Sequence, residues 1–407
     1  MSNGIKLDGR LYRFGTMCVR CGGCTYGYEE AGFKEVCPIY KRYQFFTYSL
    51  GGMLQLARAL CEGRLQLTES VSGVIYSCTS CGACGEMCAE VDFPDIVQLQ
   101  HELRARCVEA GQIPYAHMAV IEGLKEGGQH VAEAQGRKGQ VGRGPGGEGC
   151  HQGEGRGLLP RGLQVLLQRG SVACGQSAVT LLKAAGVDVG IAGANETCCG
   201  GRAYEMGYQG EFLKYAENNV EMLKTAGVKT VVTSCADGYY TFKVLYDMAG
   251  KAEGIEVFHI TEYLSRLIRG GRLKPKAKVP MKVTFHDPCH LGRKTEPWLF
   301  KDGKVRAGEL YQFPRDILAA IPGLELVEME RNRASAWCCG AGGGVIDADP
   351  EFALWIARER LQEAKATGAE AIVTACPWCK RTFNDALKEG DIDLEVYDVV
   401  ELLKKAL

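Results

Sequence analysis

The segments Ala336-Trp-Cys-Cys-Gly-Ala341 and Ala369-Glu-Ala-Ile-Val-Thr-Ala-Cys376 decide the fold of the C-terminal half, because both recur earlier in the chain. The earlier copies are Glu196-Thr-Cys-Cys-Gly-Gly201 and Val228-Lys-Thr-Val-Val-Thr-Ser-Cys235. The double cysteines lie 140 residues apart, and the cysteines after the apolar runs lie 141 apart. An offset that stays this constant indicates an internal duplication.

The two copies also share a pattern of predicted elements. An amphipathic helix is predicted over Glu211–Ala226 in the first and over Glu351–Thr367 in the second, and a short buried strand follows each. Both copies close on similar text, Ile255–Leu264 and Leu394–Leu403. Helices that alternate with short buried strands predict an α/β fold for each copy.

Composition limits the possible classes of protein. The 407 residues, 46% of them apolar, suggest two or three domains with at least one large core. The net charge of −1 gives no reason to expect nucleic acid as a partner. No apolar run approaches the roughly 18 residues of a membrane span, and Met1–Gly15 lacks the apolar core of a secretory signal. We therefore expect a cytoplasmic protein.

Cysteine is the unusual component, with 20 residues. A disulfide scaffold is one interpretation, but such scaffolds are typically short secreted chains. Clustered cysteines in a long chain without a secretory signal indicate metal or iron–sulfur binding instead.

Two tight cysteine motifs precede the duplication. One is C-x2-C-x2-C beginning at Cys18 and followed by Cys37; the other is C-x2-C-x2-C-x3-C over Cys78–Cys88. Paired zinc knuckles would also use C-x2-C spacing, but three cysteines at successive x2 spacing, twice, favour [4Fe–4S] cubanes. In two-cluster ferredoxins the fourth ligand belongs to the other cluster. The predicted ligand sets are Cys18, Cys21, Cys24 and Cys88 for one cubane, and Cys78, Cys81, Cys84 and Cys37 for the other.

The second repeat carries five cysteines in the pattern C…CCG…CxxC: Cys289, Cys338, Cys339, Cys376 and Cys379. With the flanking text Phe285–Arg293 and Trp337–Gly344, this pattern resembles the cysteine-rich CCG domain of the heterodisulfide reductase family. That family includes the iron–sulfur subunits of glycolate, lactate and anaerobic glycerol-3-phosphate dehydrogenases. The resemblance implies that the five cysteines hold a noncubane [4Fe–4S] cluster, which is the candidate catalytic centre. The 48 residues between Cys289 and Cys338 predict a loop insertion.

The first repeat departs from this pattern. It keeps three candidate metal ligands, Cys198, Cys199 and Cys235, but Gly238 stands where CxxC needs its second cysteine. For the leading position, Cys174 is too close and Cys150 too far. The three remaining cysteines would bind a reduced cluster or none.

The segment 127–170 separates the ferredoxin-like motifs from the repeats and has 14 Gly in 44 positions. One interpretation is a flexible linker. Its length argues against this, and a second hypothesis is that part of it is translated out of the ancestral frame.

Several other residues allow more than one interpretation. His286 and His290 flank Cys289, so either could deliver a proton to a leaving thiolate or simply order the loop; His286 joins the candidate catalytic set. Arg293 and Lys294 could offset the negative charge of a cluster, hold a substrate carboxylate or be plain surface charge. Gly340–Gly344 lacks the Lys-Ser/Thr of a phosphate-binding loop, so close backbone approach to the cluster explains it better. We expect no flavin or NAD on this chain.

These observations predict an α+β multidomain protein. A mainly helical ferredoxin-like domain with two cubanes spans residues 1–115, and a Gly-rich connecting stretch spans 116–174. An incomplete first CCG domain covers 175–270, and a second, with the five-cysteine site, covers 271–407.

The predicted function is that of an iron–sulfur oxidoreductase subunit with heterodisulfide reductase-like activity. Electrons would pass through the two cubanes to one noncubane cluster, where a small disulfide is reduced to two thiols. The alternative is a non-catalytic subunit that relays electrons between a flavoprotein dehydrogenase and quinone or another reductase. Either function needs a redox partner, which would be a membrane cytochrome b-type subunit or a flavoprotein. A membrane partner would hold the chain at the inner face of the cytoplasmic membrane.

Overall fold

The computed structural model describes residues 9–27, 32–88, 93–127, 165–168, 172–192, 196–251, 254–296, 299–301, 304–306 and 308–407. Most of the Gly-rich segment, including Cys150, lies outside the described residues.

The described residues before the Gly-rich segment are mainly helical, with loops at residues 18–24 and 78–82. Helix α3 begins where the Ser49 hydroxyl accepts a hydrogen bond from the Gly52 amide at 3.2 Å, and α4 begins with an equivalent Thr68 cap. The helices are α1 (Gly9–Met17), α2 (Pro38–Tyr43), α3 (Leu50–Cys61), α4 (Glu69–Tyr76), α5 (Ala83–Glu86), α6 (Phe93–Glu109) and α7 (Tyr115–Gly127), with a 3-10 turn at Phe46–Tyr48.

The C-terminal part contains two four-stranded parallel sheets and one two-stranded ribbon. The strands are β1 (Val165–Gln168), β2 (Val189–Gly190), β3 (Thr230–Thr233), β4 (Glu256–His259), β5 (Met281–His286), β6 (Leu299–Lys301), β7 (Lys304–Arg306), β8 (Leu324–Val327), β9 (Ala371–Thr374) and β10 (Glu395–Asp398). One sheet has the order β2-β1-β3-β4 and the other β8-β5-β9-β10. The two orders correspond strand for strand, so the repeats share one topology.

Helices cover these sheets. They are α8 (Val172–Ala184), α9 (Gly201–Glu205), α10 (Gln209–Ala226), α11 (Ala236–Tyr240), α12 (Tyr246–Met248), α13 (Ile260–Arg269), α14 (Glu309–Ala320), α15 (Val345–Ala348), α16 (Pro350–Ala366), α17 (Pro377–Leu387) and α18 (Val399–Lys405). A π-helical turn spans Thr241–Leu245, and 3-10 turns span Arg333–Ser335 and Gly342–Gly344. Helical N-terminal structure followed by small parallel sheets confirms the α+β class.

The sheets determine where the cysteines of the repeats lie. In β5, Val283 pairs with Ala371 of β9, and in the first repeat Val165 of β1 pairs with Thr230 of β3. Residues that follow the carboxyl ends of parallel strands gather at one edge of the sheet. Cys289 and Cys376 follow β5 and β9 in this way, which brings cysteines distant in sequence to one edge.

Two further features concern the predicted segments. Strand β1 lies within 116–174, on the N-terminal side of the boundary placed at residue 175. The antiparallel ribbon of β6 and β7 lies in the predicted insertion between Cys289 and Cys338. Across the described ranges, no helix has both the length and the hydropathy that crossing a membrane requires.

Candidate iron–sulfur centres

The two ferredoxin-like loops have the same backbone conformation. In the first, Arg20 and Gly22 have φ angles of 60° and 79°; in the second, Ser80 and Gly82 have φ angles of 51° and 76°. Positive φ is uncommon outside glycine, and here it occurs at matching positions of both motifs. The Ser80 amide also donates to the Cys78 Sγ at 3.4 Å. The two motifs therefore share left-handed backbone at the residues between their cysteines.

The first predicted ligand set lies together. Burial raises the pKa of the Cys24 thiol, and the neighbouring thiols of Cys88, Cys18 and Cys21 raise it further because like charges would repel. Cys88 comes from the second motif, so a site formed here uses residues of both motifs.

Three members of the second predicted set, Cys37, Cys78 and Cys84, line a small cavity together with Leu50 and Ile96. Burial raises the pKa of the Cys37 thiol and of the Cys84 thiol, and the neighbouring thiols, Cys81 among them, add to the shift. Four neighbouring soft sulfur donors fit a cubane cluster, which would replace each thiol proton with an iron bond.

The five cysteines of the second repeat form a continuous series of contacts, and all are buried. The Cys338 thiol contacts those of Cys289 and Cys339. The Cys379 thiol in turn contacts those of Cys339 and Cys376. A hydrogen bond from Cys338 holds the pKa of Cys289, and that of Cys339, well below the ordinary thiol value. A cluster of several irons fits this set, since adjacent cysteines can bind different irons.

The ferredoxin-like part and the second repeat meet at Cys81 and Cys338. Their thiols are in contact, and the hydrogen bond from Cys338 lowers the pKa of Cys81 to about 6. Arg293, which is buried, donates from Nε to the Cys81 carbonyl at 3.2 Å and from Nη1 to the Ala336 carbonyl at 2.5 Å. Arg293 is thus a structural bridge between the two cysteine sites rather than surface charge.

The glycine run of the second repeat packs on the second ferredoxin-like loop. A Cβ on Gly342 would lie 2.4 Å from the Thr79 carbonyl oxygen, and one on Gly343 would lie 2.8 Å from that of Cys78. Gly342 and Gly343 therefore approach the ferredoxin-like backbone closely, whereas the sequence predicts approach to the cluster. The buried Arg104 guanidinium reinforces the contact by donating to the Gly343 and Glu205 carbonyls, each at 2.9 Å.

Both candidate histidines lie beside cluster thiols. A ring nitrogen of His286 lies within 4.8 Å of the sulfurs of Cys339 and Cys379, and Arg360 donates to its Nδ1 at 3.2 Å. His290 Nδ1 lies 3.4 Å from the Cys289 Sγ. Each ring is held so that it can hydrogen-bond a thiolate.

A buried charged group behind His290 was not predicted from the sequence. Glu205 Oε1 lies 2.7 Å from His290 Nε2, and it also accepts a hydrogen bond from the Lys294 ammonium. Burial alone would raise the pKa of Glu205, but Lys294 and His290 hold it well below its usual range. The repeat offered one signal in the sequence. The residue 140 positions after Glu205 is Val345, which is apolar and buried, so the equivalent position in the first repeat was a candidate for burial.

The first repeat does not bring its three cysteines into one compact set. Cys198 and Cys199 contact each other, while Cys235 contacts Cys376 of the second repeat. Cys174 lies in α8 and is fully buried in the core.

Substitution of Gly340, in the second CCG motif, tests how tightly this loop is packed. Its φ is +91°, and a Cβ would lie 2.3 Å from the Ala353 carbonyl oxygen. We expect Gly340→Ala to lower the free energy of unfolding more than a control glycine does. The control has a positive φ as well but open space around the added Cβ, so the difference, about 1–3 kcal/mol, measures the steric clash. Gly390→Ala is that control, because φ is +105° and no atom lies within 4 Å of the added Cβ. Equal losses in urea denaturation would show that the Gly340 loop has room to relax.

Known families and relatives match this arrangement. A model described as a 4Fe-4S dicluster domain matches residues 15–90, and one described as a cysteine-rich domain matches twice, at 149–243 and 283–384. The chain is 30% identical to a subunit of the dihydromethanophenazine:CoB–CoM heterodisulfide reductase of Methanosarcina acetivorans, over 96% of this chain and 93% of that one.

Two other relatives carry different names. A subunit of the fumarate reductase (CoM/CoB) of Methanothermobacter marburgensis is 29% identical over 96% of this chain and 72% of that one. The EtfAB:quinone oxidoreductase of Syntrophomonas wolfei is 31% identical over 83% of this chain and 47% of that protein. All three are named as oxidoreductases or their subunits. The chain therefore belongs to the family of iron–sulfur proteins that includes this heterodisulfide reductase subunit, in which a 4Fe-4S dicluster domain precedes two cysteine-rich domains.

Proposed function

We propose that this chain is the disulfide-reducing subunit of a redox complex. The observation that carries the proposal is the contact between Cys81 and Cys338, which joins the ferredoxin-like cysteines to the five-cysteine set. Bound clusters would supply electron transfer at the ferredoxin-like sites and thiolate-binding iron at the second CCG site. The disulfide takes up two electrons and two protons and leaves as two thiols. The electrons come from a flavoprotein or cytochrome b-type partner.

The chain's own residues support this chemistry in two ways. Arg293 holds the two cysteine sites against each other through carbonyls on both sides. His286 and His290 each lie beside a cluster thiol, which supports a role as proton donors to leaving thiolates. The name of the heterodisulfide reductase relative suggests the mixed disulfide of coenzyme M and coenzyme B as the first substrate to test.

A second function, electron relay without substrate chemistry, is favoured by the first repeat. Gly238 replaces a cysteine there, and the EtfAB:quinone oxidoreductase of Syntrophomonas wolfei is similar to most of this chain. In that case the chain would accept electrons from a flavoprotein and pass them to quinone through other subunits.

Iron content and electron paramagnetic resonance separate the two functions. For anaerobically purified protein we expect about twelve irons with matching acid-labile sulfide, from two cubanes and one further four-iron cluster. We also expect a paramagnetic species that forms only when the protein is oxidised in the presence of substrate thiol. About eight irons and no response to thiol would overturn disulfide reduction and leave electron relay.

A further inference from the structure

Cys235 and Cys376 occupy equivalent positions in the two repeats and meet across the boundary between them. Each follows the third strand in sequence of its sheet, and each is the residue before a helix, α11 or α17. Their thiols are in hydrogen-bond contact. A cysteine of the first repeat thus touches the cluster site of the second.

This contact extends the series of thiols in the second repeat by one. Cys376 touches Cys379, and Cys379 touches Cys339. With Cys235 included, six buried sulfurs are linked in unbroken contact, from Cys289 through Cys338 and the others to Cys235.

A second residue of the first repeat reaches the same place independently. His259, at the end of β4, is fully buried, and its ring lies beside Ala375 and Cys376. Its Nδ1 lies 2.8 Å from the Thr261 hydroxyl. The ring interacts with the Ala375 backbone and lies close to the Cys376 sulfur. His259 therefore brings a second residue of the first repeat beside the sulfur that Cys235 contacts.

The sequence of the first repeat explains why Cys235 is available. Gly238 removes the neighbour with which Cys235 would form a CxxC pair, whereas Cys376 keeps its neighbour Cys379. Cys198 and Cys199 are in contact with each other.

We propose that the cluster of the second repeat has six thiol ligands, the sixth being Cys235 from the first repeat, so that one site spans both repeats. The inference rests on the proposed function, because it requires a cluster at the five-cysteine set. The Cys235 thiol loses its proton and binds iron through Sγ, and no electron is transferred in that step. The first repeat then supplies one of the six ligands of a single cluster.

The test compares anaerobically purified wild-type protein with Cys235→Ser, Cys235→Ala and the control Cys174→Ser. Cys174 is a buried thiol of the same repeat that lies in the α8 core. We expect Cys235→Ala to lose about four of about twelve irons together with the thiol-dependent paramagnetic species, while the cubane signals persist. Cys235→Ser should shift that species or lose it, because oxygen replaces sulfur. Cys174→Ser should match the wild type.

Each remaining outcome decides a specific point. Twelve irons and an unchanged spectrum in both Cys235 variants would overturn the sixth ligand and leave the proposed function standing. Eight irons in the wild type itself would overturn both.

A measurement on the unmodified chain guards against misfolded variants. Iodoacetamide should alkylate Cys235 and Cys376, detected by peptide mass spectrometry, only after a chelator has removed the iron. Alkylation of Cys235 in the iron-loaded protein while Cys376 stays protected would overturn the sixth ligand and leave the proposed function standing, whereas alkylation of both would overturn both.

Discussion

Cys338→Ser should abolish disulfide turnover while leaving the ferredoxin-like clusters in place. The Cys338 thiol contacts three others, those of Cys289, Cys339 and Cys81, so it is the centre of the sulfur array. Its Sγ also accepts a hydrogen bond from the Gly340 amide at 3.3 Å. Loss of an outer partner of a metal ligand typically costs about 10–100-fold, and we expect loss of this ligand to cost more than about 100-fold.

The measurement is the rate of reduction of the coenzyme M–coenzyme B disulfide with a reduced viologen dye as electron donor, alongside the cubane spectrum. Cys61→Ser is the matched control, because Cys61 is a partly buried thiol at the end of α3, outside every predicted ligand set. The rate of disulfide reduction by Cys61→Ser should stay within about twofold of the wild-type rate. Turnover that survives in Cys338→Ser would contradict the assignment of the catalytic cluster.

Much of this architecture was predictable because it depends on local patterns. The helix α10 spans Gln209–Ala226, close to its predicted range, and α16 spans Pro350–Ala366. Both follow from apolar residues at helical spacing. The repeat extended these predictions, because two copies of similar sequence are expected to form sheets of the same topology.

The contacts between distant segments could not be predicted in the same way. Cys235 and Cys376 meet only because the repeats pack with their equivalent edges facing each other, and no spacing within one repeat encodes that packing. Arg104 likewise donates hydrogen bonds to the backbone carbonyls of Cys78 and Gly343. Every residue has a backbone carbonyl, so the sequence does not show which ones accept these bonds. The sequence predicts the cysteine sets, whereas the residues that hold the sites together could be recognised only from the fold.

Glu205→Gln should be among the most destabilising substitutions in the chain. The Glu205 carboxylate is buried and pairs with the Lys294 ammonium, which is itself fully buried. It also accepts from the Gly343 amide at 3.1 Å and lies against His290. Glutamine preserves the shape but leaves the Lys294 charge uncompensated, so we expect a loss of about 3–5 kcal/mol in the free energy of unfolding.

Anaerobic urea denaturation measures this loss, and two further variants show its cause. Glu351→Gln removes a carboxylate that is 91% exposed, and it should cost less than about 0.5 kcal/mol. Adding Lys294→Met to Glu205→Gln removes the stranded cation, so the double variant should recover part of the stability. If Glu205→Gln alone lay within about 1 kcal/mol of the wild type, the buried pair would not be what holds α9 against the second repeat. Recovery in the double variant would instead establish that the charge, and not the shape, of Glu205 joins the two repeats.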